Sequence, residues 1–325
     1  MTSANPSRPS TAAVATALLL VYVVWGSTYL GIAVMIETLP PLLAAGVRYA
    51  VAGLLMIGAL AAHARFRRRQ APVERPTAAH WRSAFIIGSL LLLGGNGGVV
   101  LAELFIPSGI AAVLVATVPI WLAVFDAILT RRRPSGLVIG GLVAGVVGVA
   151  VLLAPMQGID DLDPLGIALV IGATISWAAG SLYARRAPLP RSQLLGTGLE
   201  MLAGGVVLVA AGSLLGEIGR TNVDSFSIRS LVALAYLTLV GSIVGFTAYT
   251  WLLANVPVST VGTYAYVNPI VAVALGAILL SEPITPRTLI ATVIILGAVV
   301  AMVSGRPRET EEPGPVPHAA TLEPK

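Results

Sequence analysis

The chain has no cysteine, which removes disulfide scaffolds, thiol catalysis and zinc–thiolate sites together. Histidine is almost as scarce. His63, His80 and His318 all fall in polar connecting segments or the tail, so metal clusters and Ser-His-Asp arrangements lack their raw material. Charged residues make up only 11% of the 325 positions, against about 25% in an average globular domain. So few charges could not cover the surface of a water-soluble protein of this length. No metal, cofactor or catalytic residue is expected.

What fills the chain instead is apolar: 56% of residues. A bilayer core about 30 Å thick needs roughly 20 apolar residues in helical form. Ten such runs are present, approximately Val14–Met35, Leu42–Ala62, Ser83–Ala102, Gly109–Leu129, Gly136–Ala154, Leu165–Tyr183, Leu194–Leu215, Leu231–Leu253, Ser259–Leu280 and Thr288–Ser304. The predicted fold is an all-α membrane protein of ten transmembrane helices. The first span is too long for a signal-peptide core and is expected to be retained.

The net charge of +5 would ordinarily suggest a nucleic-acid partner. The placement of the basic residues points to the lipid bilayer instead. With the N-terminus in the cytoplasm, 16 of the 20 basic residues fall in inner segments, including Arg65–Arg69, Arg131–Arg133 and Arg185–Arg186. Arg48, Arg220, Arg229 and Arg287 remain on the outer side. Positive charge gathers on the cytoplasmic face, so both termini are predicted to be cytoplasmic, in a multi-pass protein of the bacterial plasma (inner) membrane.

The halves repeat. Trp25-Gly-Ser-Thr-Tyr29 has a counterpart in Trp177-Ala-Ala-Gly-Ser181, an offset of 152 (177 − 25). Pro107 and Pro119 recur as Pro257 and Pro269, an offset of 150 (257 − 107) with the same spacing of 12. The boundaries read as an N-terminal tail at 1–13, a first five-helix repeat at 14–155, an external linker at 156–164, a second repeat at 165–304 and a disordered cytoplasmic tail at 305–325. Five passes reverse the direction of entry, so the second repeat is inverted with respect to the first, a plan common among secondary transporters.

Trp25 and Trp177 lie 11 and 12 residues into their spans, about 16 and 18 Å deep at 1.5 Å per residue, near mid-bilayer. Pro119 and Pro269 lie at about 15 Å and are candidate hinges, each depriving a carbonyl of its usual donor. Polar and aromatic side chains at this depth are the candidates for cargo contact: Trp25, Ser27, Tyr29, Asn96, Trp177, Ser181, Tyr264, Tyr266 and Asn268, with Thr28 and Ser176 among them. Each also has a plain reading as helix packing or a local hydrogen bond. No Lys, Arg or His reads as central, so a neutral, zwitterionic or weakly charged small molecule is the expected cargo. Glu103 and Glu200 are the proton-coupling candidates, with Glu103 also placed to pair with Arg48. The glycines at 136, 140, 141, 145 and 148 read as helix packing or a dimer contact, which leaves a monomer or homodimer, and Gly297 as the main small contact of the tenth span.

The chain resembles the EamA family of the drug/metabolite transporter superfamily, especially its YedA-like bacterial members. The stretches that carry the likeness are Trp25-Gly-Ser-Thr-Tyr29, Leu39-Pro-Pro-Leu42, Arg48-Tyr49, Gly95-Asn96-Gly97, Ala102-Glu103, Pro107 to Val113, Ile175-Ser-Trp177, Gly180-Ser181 and Tyr264-Ala-Tyr-Val-Asn-Pro269. The resemblance implies ten helices and export of small metabolites or drugs, amino acids among them. It also implies a central cavity built mainly by the first, third, fourth, sixth, eighth and ninth helices. The expected function is secondary active export by alternating access, with Glu103 and Glu200 as the candidates for proton coupling; a passive facilitator is the alternative. An intramembrane lipid-processing enzyme would need a nucleophile, base or metal set at common depth, and none is visible.

Overall fold

The computed structural model describes residues 9–66, 74–106, 108–153, 163–280 and 286–304. The expected C-terminal tail, most of the expected external linker and Pro107 lie outside them. The described residues are helical and contain no strand.

In chain order the helices are α1 (Thr11–Ile36), α2 (Pro41–Phe66), α3 (Ala78–Ala102), α4 (Ser108–Val115), α5 (Val118–Thr130), α6 (Gly136–Leu153) and α7 (Pro164–Ala184). They continue as α8 (Gln193–Leu214), α9 (Glu217–Arg220), α10 (Ile228–Asn255), α11 (Val258–Gly262), α12 (Tyr264–Leu280) and α13 (Pro286–Ser304). Six of these, α1, α2, α3, α7, α8 and α10, are long and apolar enough to cross a bilayer, and shorter apolar helices lie in α5, α6 and α13. The expected fourth and ninth spans are each interrupted, between Val115 and Val118 and at Thr263. At both interruptions a threonine hydroxyl turns back on its own chain: Thr117 Oγ1 donates to the Leu114 carbonyl (2.7 Å) and Thr263 Oγ1 to that of Thr260 (2.6 Å). Local side-chain bonding of this kind competes with the helical ladder.

Helix starts follow from capping oxygens, which supply acceptors for amides that have no partner within the helix. Ser10 accepts from Ala13 N, Asp163 from Leu165 N with Pro164 in the first turn, Ser192 from Leu195 N and Ser227 from Ser230 N. The start of α2 is capped from a distance. Glu217 reaches across from α9 and accepts from Leu42 N (3.1 Å) and Leu43 N (2.8 Å). Arg131, at φ 55°, turns the chain out of α5.

Packing pairs the two halves. α1 lies against α10 and α12, while α7 lies against α3, α4 and α5. α2 packs on α8, and α6 on α13. The α2–α8 contact is backbone against backbone: a Cβ on Gly53 would sit 2.6 Å from the Gly198 carbonyl, and one on Gly46 would sit 2.8 Å from that of Gly205. Small residues permit such approach between helices in lipid. On α6, Gly141 and Gly148 meet α13 and Gly145 meets Tyr266, but Gly136 and Gly140 face open space. Gly297 also faces open space, contrary to its expected role as a packing contact; its helix presents Ile295, Ala298 and Met302 to α6 instead.

Candidate functional site

Helices α3 and α10 both widen into π-helical segments, Ser89–Gly97 and Leu237–Phe246. Such segments shift carbonyls out of the regular ladder and recur at functional sites. Here each turns a carbonyl toward the first helix of the opposite half. Trp25 Nε1 on α1 donates to the Gly241 carbonyl (3.2 Å), and Ser176 Oγ on α7 donates to that of Leu90 (2.8 Å). Donors and acceptors share one offset of 151 (176 − 25 and 241 − 90). That spacing is close to the offsets of 150 and 152 between the prolines and tryptophans of the sequence.

Trp25 and Gly241 also line a narrow cavity of about 70 Å³. Pockets that enclose small organic ligands run to roughly 300 Å³ or more, so this cavity is smaller than a ligand pocket of that kind. Trp25 anchors its aromatic wall. Its ring centroid is 5.4 Å from that of Trp177 at 84°, 4.8 Å from that of Tyr249 and 5.1 Å from that of Tyr264 at 83°. Edge-to-face pairs suit the positive rim and negative face of aromatic rings. The Tyr249 hydroxyl ties the cluster together, accepting from Trp177 Nε1 (2.8 Å) and bonding with Ser181 Oγ (2.6 Å).

Seven of the eleven expected cargo contacts line this cavity: Trp25, Thr28, Tyr29, Asn96, Trp177, Tyr264 and Asn268. The Asn96 Oδ1 is buried without a hydrogen-bond partner among the described residues. Asn268, with its amide turned to suit its neighbours, donates to the carbonyls of Tyr264 (3.0 Å) and Tyr22 (3.2 Å), fastening α12 to α1. Of the other four, Ser176 makes the bond to Leu90 described above. Ser27 Oγ donates to the Val24 carbonyl (2.6 Å) and bonds the Tyr236 hydroxyl on α10. Ser181 stands behind Tyr249. Tyr266 packs on α6, its hydroxyl donating to the Leu142 carbonyl (3.3 Å).

Of the candidate hinges, Pro119 lies in the first turn of α5, just past the interruption. Pro269 lies inside α12, six residues beyond the interruption at Thr263. The two broken helices meet, since a Cβ on Gly262 would contact Pro119 and Leu122 at 3.2–3.4 Å.

The expected Glu103–Arg48 pair does not form. Both Glu103 oxygens are buried without a partner among the described residues, beside Tyr29. Arg48 turns instead to Ser242 and Tyr49 and lines the cavity, which corrects the reading of a centre free of basic side chains. Glu200 is 2% exposed on α8, outside the cavity lining, with its Oε2 unpartnered among the described residues. Sequence reasoning also missed Phe246, Thr174 and Tyr249. The eighth span, which the family resemblance included, holds two of these. A wider cavity of about 580 Å³ opens near the ends of α1 and α8, among Glu37, Pro40, Glu217, Arg220 and Phe226. Among the described residues no three His, Asp or Glu side chains converge to hold a metal ion.

The model of the EamA-like transporter family matches residues 12–154 and 164–304. The chain belongs to this family of membrane transporters. It is 40% identical over 292 residues to the uncharacterized inner membrane transporter YedA of Escherichia coli K12, a match covering 89% of this chain and 90% of that protein. It is 24% identical to a probable amino-acid metabolite efflux pump of the same organism, covering 88% and 93% of the two chains. A solved crystal structure shares the fold at a TM-score of 0.70 with 19% identity, covering 91% of this chain and 96% of that one.

Proposed function

We propose that this chain is a secondary carrier that exports small amphipathic metabolites across the bacterial plasma membrane. On this reading it crosses the bilayer ten times, as two inverted five-helix repeats with both termini in the cytoplasm, and alternates access to the aromatic cavity. The observation that carries the reading is the pair of bonds at one sequence offset, Trp25 to Gly241 and Ser176 to Leu90, the first of them in the cavity lining. Two halves built alike around one site can exchange inward-open and outward-open arrangements at similar energy. The relatives named as transporters and as an amino-acid metabolite efflux pump support the same class.

The test is counterflow in proteoliposomes containing the purified chain, using labelled amino acids, nucleosides and sugars. Accumulation of at least one class above empty liposomes is expected; none from any class would overturn the carrier reading. A second reading, a passive facilitator, is favoured by the positions of Glu103 and Glu200, neither of which lines the cavity. Flux indifferent to an imposed pH step would select it.

A further inference from the structure

Arg48 is 3% exposed, lines the cavity and is held from two sides. Its Nε donates to Ser242 Oγ (2.8 Å), its Nη2 donates to the Tyr49 hydroxyl (3.0 Å), and its guanidinium carbon lies 4.5 Å from the centre of the Tyr49 ring. Nη1 is buried with no hydrogen-bond partner among the described residues. The described residues lining the cavity include no Asp or Glu, and Glu103 makes no hydrogen bond to the guanidinium.

A guanidinium presents five N–H donors in a fixed fork, and burying it without an anion is costly. Ser242 and Tyr49 take two donors and fix the plane. The two hydrogens of Nη1 and the second hydrogen of Nη2 remain. A carboxylate accepts two parallel N–H bonds from such a fork. One braced cation suits a single carboxylate better than a doubly charged phosphate, which calls for more positive charge. The aromatic rings of Trp25, Trp177, Phe246 and Tyr264 provide the apolar wall of the same space.

We propose that Arg48 is the residue that recognises the carboxylate of the cargo, so that the cargo class is small monocarboxylates with an apolar or aromatic body, amino acids included. This rests on the carrier reading above and narrows it. The cavity carries a cation, and its counter-charge arrives with the cargo.

The experiment is counterflow of labelled L-phenylalanine, L-leucine and L-threonine in proteoliposomes, each competed by its unlabelled acid and by the matching amide. For the wild-type chain the acid should compete about a hundredfold better than the amide, the scale of losing a buried charged partner. Arg48→Gln should erase that preference, and Arg48→Lys, which keeps the charge but not the fork, should restore part of it. Thermal unfolding and gel-filtration profiles establish that each variant is folded, and Arg48→Lys carries the test if Arg48→Gln does not insert. A merely structural role would depress transport of acid without changing the acid-to-amide ratio. Equal competition by acid and amide in the wild type overturns the assignment and leaves the carrier standing. Absence of exchange for all three amino acids overturns the assignment, while exchange of nucleosides or sugars by the same vesicles would keep the carrier reading alive.

Discussion

Trp25 and Trp177, 152 positions apart in the chain, meet edge to face with ring centroids 5.4 Å apart. Each tryptophan also spends its indole N–H within the protein, on Gly241 and Tyr249 respectively. The wall of the cavity is therefore part of the packing that joins the two halves, and substitutions there should affect stability and flux together.

Trp25→Ala removes a large ring and leaves the Gly241 carbonyl without its donor. A cost of about 3–5 kcal/mol is expected from truncating a buried tryptophan. Thermal unfolding of the purified protein should shift down clearly. Trp177→Phe keeps a ring but drops the bond to Tyr249, for about 1–3 kcal/mol. A smaller shift for Trp25→Ala than for Trp177→Phe would contradict this ordering.

The α2–α8 contact predicts a sharp contrast between glycines. Gly53→Val should lower the yield of folded protein, because even a Cβ would lie 2.6 Å from the Gly198 carbonyl; overpacking of this kind costs about 1–3 kcal/mol or more. Gly297→Ala, facing open space, should leave yield and unfolding temperature unchanged. Fluorescence-detected gel filtration of the two variants side by side is the check.

Glu217, 8% exposed, supplies both acceptors for the start of α2. Glu217→Ala should destabilise the protein by about 0.5–2 kcal/mol, the range for a lost helix cap. Glu217→Gln keeps an acceptor and should recover much of that loss. Thermal unfolding of the pair measures it, and identical curves for wild type and Glu217→Ala would show that the cap contributes nothing.

If flux is coupled to protons through Glu103 or Glu200, the double variant Glu103→Gln with Glu200→Gln should lose pH-driven accumulation in proteoliposomes while retaining counterflow. Unchanged pH-driven accumulation in that variant would exclude both residues as the coupling sites.

The absence of native cysteine makes orientation directly measurable. Single cysteines replacing Arg132 and Arg186 should both react with an impermeant maleimide only from the cytoplasmic side, and one replacing Asn222 only from outside. Labelling of the first two from opposite sides would dismantle the five-plus-five arrangement.

Much of the site was legible because depth along a helix follows from residue count. Trp25, Tyr29, Asn96, Trp177, Tyr264 and Asn268 were found that way. Rotation about the helix axis was not legible, because helices apolar on nearly every side lack a polar stripe that tells which face turns inward. Ser27 and Tyr266 were therefore counted with the cavity although they face α10 and α6. The sequence places Arg48 on the outer side only, since its brace at Ser242 lies 194 positions away and leaves no local trace. Pro119 lies just past one interruption and Pro269 six residues beyond the other, and threonine hydroxyls mark both more closely. The π-helical segments had no foretelling signal in the apolar runs that contain them.

The matching bonds from Trp25 to Gly241 and from Ser176 to Leu90 are two copies of one fastening, each with its own donor residue. Selection can thus loosen either clasp by a single substitution without touching its twin. Indole on one side and hydroxyl on the other make the two fastenings chemically unlike, so each answers to its own substitution.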